Sequence, residues 1–265
     1  MQELAKIGIR RDRAPHRTVM KKFSAIKQTS GDGYDRLEWL DARGSTRRVR
    51  AVDAASVRGL HPKRLARTPG KWSGQEAFQG HYWVAGTQTM VWHESMAEYS
   101  GVMLLDHLYD VVDIVAQPML MVFGDGDTHY PDYLLTTRGG GRLLLDVHAA
   151  HRTSVEQWVK FDHSQRVCRN VGWEYLLVGL LPQVFRWNLE LMAAYRHPRY
   201  EPDENVAAAI LSPLRKPKSF GQLRTAIRTD KPGELMPALY HLMWNRHIAF
   251  DLHKPFNDDT TLTAA

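Results

Sequence analysis

The chain holds a single cysteine, Cys168, in 265 residues. That excludes an internal disulfide and a thiolate metal cluster. No apolar run approaches the roughly 18 residues that a membrane-crossing helix needs. The basic N-terminus lacks the apolar stretch of a secretory signal, so a cytoplasmic protein is expected. A further absence is regional. Residues 72–137 contain no Lys or Arg and nine acidic residues. Residues 1–71 hold 18 basic residues against 7 acidic, and residues 138–265 hold 17 against 13. Carboxylates concentrated without a nearby cation are costly unless they are exposed or bind metal. Basic flanks attract phosphate backbones. A nuclease needs that combination, although a solvated acidic face beside a basic tail gives the same count.

The pattern divides the chain in three. Residues 1–71 form a basic arm, its first 30 or so residues aperiodic, followed by alternating segments (RLEWLD, TRRVRAVD) that suit short strands. Residues 61–80 read as a loop. Residues 72–182 read as an α/β domain: a helix over His93–Leu108, strands at 111–117 and 119–123, and a GDGD turn. A hairpin follows, formed by YLLTT (133–137) and RLLLDVH (142–148) around RGGG. A helix over 154–170 and a buried strand at 173–179 complete it. Residues 183–265 read as helices at 183–196, 203–211, 219–228 and 234–247, then two strands bracketing HKPFNDD. Helix, turn, helix and short hairpin is the winged helix-turn-helix pattern.

Three carboxylates fall at coherent places. Glu98 lies on the helix before the sheet, one turn from Glu94. Asp132 follows Pro131 at the start of a strand. Asp146 and His148 lie two apart on the next strand and share a face. Carboxylates from a helix and two adjoining strands can converge on Mg²⁺ or Mn²⁺, which activates water for phosphodiester hydrolysis. Each has a plainer alternative: a solvated helix surface for either glutamate, a strand-end cap for Asp132. Asp146 inside LLLDVH is harder to dismiss, because a buried carboxylate is expensive unless paired or metal-bound. GDGDTH (124–129) also matches part of a phosphatase nucleophile motif, but Thr128 comes one residue too early and a β-turn accounts for it better.

HYPDYLL (129–135) followed by LLLDVH (143–148) resembles the PD-(D/E)xK restriction-endonuclease-like core. GQEAFQGHYW (74–83), HESMAEYSGVMLLDHLYDVVDIVAQP (93–118) and NVGWEYLLVG (170–179) look more particularly like the TnsA family, the endonuclease subunits of heteromeric cut-and-paste transposases. The likeness spans roughly residues 72–262. It implies a restriction-endonuclease-like core, a mixed sheet flanked by helices, followed by a winged-helix domain. It implies a Mg²⁺-dependent (or Mn²⁺-dependent) endonuclease that cuts double-stranded DNA beside a DDE-type transposase subunit in the nucleoid. Glu98, Asp132 and Asp146 take the places of the metal ligands. His148 stands where the family pattern has lysine, and unlike lysine it changes charge near neutral pH. A catalytically decayed DNA-binding adaptor on the same scaffold is the alternative. Lys218, Arg224, Arg246 and Lys254 are the candidate phosphate contacts, with Glu234–His247 as the recognition helix.

Overall fold

The computed structural model describes residues 9–11, 33–56, 60, 62, 65–66, 78–148, 154–228 and 232–265. Most of the loop expected at 61–80 and most of the basic arm lie outside the described residues, as do the start of GQEAFQGHYW and most of TDKPG. The chain divides into two units. One takes in the residues up to Gly101 together with Asp110–Leu180, the other Val102–Tyr109 together with Leu181–Ala265.

The first unit is mixed α/β. Strands β9 (Tyr133–Thr137) and β10 (Arg142–Val147) pair antiparallel, from Arg142↔Thr136 to Leu145↔Tyr133. The hairpin closes because Gly140 takes the left-handed φ of 78° that a side chain resists. Helix α2 (Val155–Val171) begins in a capping box, with Ser154 and Gln157 satisfying each other's backbone N–H groups, and ends on Gly172 at φ 73°. It returns the chain to β11 (Glu174–Val178), parallel to β10. β6 (Val111–Ala116) pairs with β9, and β1 (Ile9–Arg11) pairs antiparallel with β11, giving the sheet order β1-β11-β10-β9-β6.

That edge strand corrects the reading of the N-terminal residues as aperiodic. A second sheet orders β3 (Thr46–Arg50), β2 (Arg36–Leu40), β7 (Leu120–Val122) and β8 (Thr128–His129). A hairpin not anticipated from the pattern joins β4 (Gly80–Val84) to β5 (Thr89–His93). GDGD is a turn: Asp125 Oδ1 accepts from the Asp127 N–H, and Gly126 has φ 90°.

The central strands β9, β10 and β11 are buried on both faces. Leu134, Leu144, Tyr175 and Leu177 pack with Phe161, Val167, Cys168 and Val171 of α2. The alternate residues Tyr133, Leu135, Leu143, Leu145 and Leu176 are also buried. They share their side with Val147, which lies against helix α1 (Met96–Leu108) at Gly101, where a Cβ would stand 2.6 Å from Val147 Cγ2. The small residue therefore sets the distance between α1 and β10.

The second unit contains α3 (Gln183–Ala193) and α4 (Glu204–Leu211), the latter capped by Asp203. β12 (Lys218–Ser219) leads into α5 (Phe220–Ala226), again through a serine–glutamine capping box at Ser219 and Gln222. α6 (Leu235–Trp244) is followed by β13 (Ile248–Ala249) and β14 (Thr261–Ala264), in the sheet order β12-β14-β13. His107 and Trp244 lie in this unit, with His107 Nδ1 2.9 Å from the Trp244 carbonyl. No helix among the described residues is long and apolar enough to cross a membrane.

Candidate active site

Residues from four segments meet at one end of β9 and β10. Ser95 Oγ accepts the Glu98 N–H, and the Glu98 carboxylate accepts from the Glu94 N–H at 2.8 Å and from Ser95 Oγ at 3.2 Å. Ser95 thus caps the start of α1, and Glu98 returns bonds to Ser95 and to the backbone before it. Glu98 is only 9% exposed, and Tyr133 Oη donates to it at 3.4 Å and to the Trp92 carbonyl at 3.0 Å. Burial pushes the Glu98 carboxyl above the usual range, against the hydrogen bonds from Glu94 and Ser95 that pull it down.

Gln117 follows β6 in the left-handed region, at φ 41°. A non-glycine residue held there is strained and needs its surroundings to fix it. Its N–H donates to the Asp132 carbonyl at 2.7 Å, and its Nε2 donates to Glu94 at 3.1 Å. Its Oε1 is buried with no hydrogen-bond partner among the described residues. The residues of HESMAE, AQP and PD, far apart in sequence, are therefore physically linked.

Asp132 stands one residue before β9. Its N–H reaches the Leu145 carbonyl at 3.1 Å, and its Oδ2 accepts the Val147 N–H at 2.7 Å. The carboxylate caps the strand end, and in doing so lies on the peptide between Asp146 and His148.

Asp146 is 2% exposed, and both of its oxygens are engaged: Tyr175 Oη donates to Oδ2 at 2.6 Å, and His129 Nε2 lies 2.8 Å from Oδ1. Burial raises the Tyr175 phenol well above its ordinary range, with the charges of Asp146 and Asp132 adding to it. Burial raises Tyr133 likewise, helped by Glu98, Asp132 and Glu94. Asp132 thus acts on both tyrosines, the one bound to Glu98 and the one bound to Asp146.

His148 continues the β10–β11 pairing through its N–H to the Val178 carbonyl, and its ring lies 5.5 Å from Phe161. Its Nε2 is buried and has no hydrogen-bond partner among the described residues.

Tyr133 pairs with Leu145, so Asp146, the next residue, projects to the opposite face. Glu98, bound to Tyr133, and Asp146 therefore approach from opposite sides of the sheet. Among the described residues no three His, Cys, Asp or Glu side chains gather as a metal-holding group. The all-oxygen chemistry of Asp132 and Asp146 suits a hard cation. The fit rests on these two carboxylates, with Glu98 reaching them only through Tyr133.

His129 is the residue that sequence reasoning missed. It sits in the HYPD segment, but its contact with Asp146 crosses from one sheet to the other and leaves no spacing signal. In the second unit, Arg224 pairs with Asp258 at 3.2 Å and stacks over Phe220, and Lys254 pairs with Asp251 at 3.5 Å. Arg246 donates to the His107 carbonyl, and Lys218 lies in β12 opposite Leu262. Three of the four candidate phosphate contacts thus already have protein partners.

No family model matches the chain, and no curated protein matches it.

Proposed function

We propose that the chain is a metal-dependent DNA endonuclease subunit of the restriction-endonuclease-like type, with a winged-helix unit behind it, acting beside a DDE-type transposase. The observation that carries this reading is the contact of the Asp132 carboxylate with the backbone between Asp146 and His148. It joins the two halves of the PD and DxH pattern on adjacent antiparallel strands. The order helix, strand, helix, helix, hairpin, with sheet order β12-β14-β13, supports the winged-helix reading of the second unit.

Asp132 and Asp146 would hold Mg²⁺ or Mn²⁺. Bound there, such an ion supplies an activated water and charge stabilisation at the leaving oxygen. Tyr175 and His129 orient Asp146, and Gln117 fixes the backbone at Asp132. His148 Nε2, which no group among the described residues engages, is left to hold or move a proton at the attacking water.

The adaptor reading also has an observation in its favour, since both oxygens of Asp146 are taken by protein donors. Substitution at His148 separates the two. On the nuclease reading, His148→Ala lowers the cleavage rate on the order of 10²-fold, the usual loss for a positioned acid–base group, and His148→Lys retains cleavage. Cleavage by His148→Ala at the parent rate makes His148 a bystander. No cleavage by any variant, with metal and partner present, replaces the nuclease with the adaptor.

A further inference from the structure

A helix that reads a DNA groove must offer an open face. α6, the helix that the winged-helix pattern assigns to this task, has none. No residue of Leu235–Trp244 is exposed, and four in succession, His241, Leu242, Met243 and Trp244, are buried. Four consecutive residues complete a helical turn, so α6 is covered all the way round there. His241 is further tied by its Nδ1, 2.8 Å from the Tyr195 carbonyl. The exposed residues after α6 do not compensate, because the Arg246 guanidinium is turned onto the His107 carbonyl.

Charge points the same way. Residues 232–265, which hold α6 and the wing, contain two basic residues and four acidic ones. Residues 212–228 contain Arg215, Lys216, Lys218, Arg224 and Arg228 and no acid. Four of these five are exposed and Lys218 is half-buried; Arg228 turns its guanidinium onto the Thr225 and Ile227 carbonyls, so the surface rests on Arg215, Lys216, Lys218 and Arg224. They follow one another along a continuous path: the turn Ser212–Arg215, then β12, then α5. The capping box at Ser219 and Gln222 fixes the step from strand to helix and so holds the spacing of Lys218 and Arg224.

We infer that the second unit docks on the sugar–phosphate backbone of double-stranded DNA through this path, residues 215–224, and not through α6 or the wing. The inference rests on the DNA-processing reading above and names the surface that it requires. Phosphate contacts of this kind carry affinity and register without base specificity. The wing limits the surface at one point. Asp258 pairs with Arg224 at 3.2 Å across an exposed contact, where an ion pair is weak and a phosphate competes readily.

The test is a salt titration of the full chain's affinity for labelled duplex DNA, read by fluorescence anisotropy. The variants are a triple Arg215→Gln, Lys216→Gln, Lys218→Gln, a double Arg246→Gln, Lys254→Gln, and Asp258→Asn. The triple variant lowers the slope of log affinity against log salt by about 3, close to one unit for each cation removed from a phosphate. The double variant leaves the slope unchanged, and Asp258→Asn tightens binding several-fold. Equal melting temperatures check that the triple variant remains folded. A parental slope in the triple variant, or an equal fall in the double variant, overturns the surface while leaving the nuclease reading intact. Absence of duplex binding by the parent at every salt concentration overturns both. An Asp132→Ala variant that binds DNA with the parent's slope but does not cut separates the binding surface from the active site.

Discussion

Glu98 has two roles that substitution can separate. Its carboxylate closes the N-terminus of α1 by accepting from the Glu94 N–H and Ser95 Oγ, and it also receives Tyr133 Oη. Glu98→Ala removes the acceptor for all three. Tyr133 keeps its bond to the Trp92 carbonyl, so the loss falls mainly on the Glu94 N–H and Ser95 Oγ. The Ser95 bond to the backbone N–H of residue 98 remains, so the expected loss is that of leaving part-buried donors unpaired, about 1–2 kcal/mol. Glu98→Gln keeps an acceptor oxygen and removes the charge. Because burial raises the Glu98 carboxyl in the folded state, the neutral form is favoured there. The stabilisation that goes with it is full below the unfolded value, near 4.5, and is lost as pH rises through the folded value. Glu98→Gln, neutral at every pH, is therefore at least as stable as the parent at pH 8, and the two converge toward pH 4. Chemical unfolding of the three proteins at pH 8 and pH 4.5 measures this. A glutamine variant as unstable as the alanine variant at pH 8 refutes the reasoning. Cleavage provides the second readout. If Glu98 serves the reaction as well as the cap, Glu98→Gln abolishes cutting despite its stability, while Glu94→Gln leaves most of it.

In the second unit, burial holds the His107 imidazole down at about 4, with the nearby Arg246 charge also lowering it and the Trp244 carbonyl opposing. A depressed histidine contributes stability that is full above about 6.5 and lost as pH falls toward 4. The size is about 3 kcal/mol at roughly 1.36 kcal/mol per pH unit. The melting temperature of the parent therefore falls over that window, and His107→Gln flattens the fall; identical pH profiles contradict it. At Gly101 a methyl group meets Val147 Cγ2 at 2.6 Å, so Gly101→Ala destabilises by about 1–3 kcal/mol through overpacking, and Val147→Ala added to it restores part of the loss in a double-mutant cycle.

The elements legible in the sequence are those with local signals. Ser154 and Gln157, with Gly172 at the far end, mark α2 within a residue of its observed limits, and the Gly-rich turn marks the β9–β10 hairpin. The elements that escaped depend on distant partners. Ile9–Arg11 is a strand only because β11, ending at Val178, offers an edge. The β4–β5 hairpin buries Tyr82, Val84, Val91 and His93 on one side, while its turn carries no two-residue signature. Of the candidate site, Glu98, Asp132, Asp146 and His148 were named from pattern and resemblance. Their partners did not: Tyr175 and His129 reach Asp146 from another strand and another sheet, and Gln117 reaches Asp132 through a backbone conformation that a sequence does not announce. The burial of α6 was visible as an apolar composition, but the helix-turn-helix pattern argued for an open face.

The contact between Asp132 and the Asp146–His148 segment is most directly tested by cleavage. The chain, with the transposase proposed as its partner, is incubated with DNA carrying transposon ends in Mg²⁺ or Mn²⁺, and strand cuts are mapped by gel. The parent cuts at the ends, and Asp132→Ala does not, although its DNA affinity and its fold by circular dichroism match the parent's. Cutting by Asp132→Ala at the parent's rate contradicts the assignment of the site.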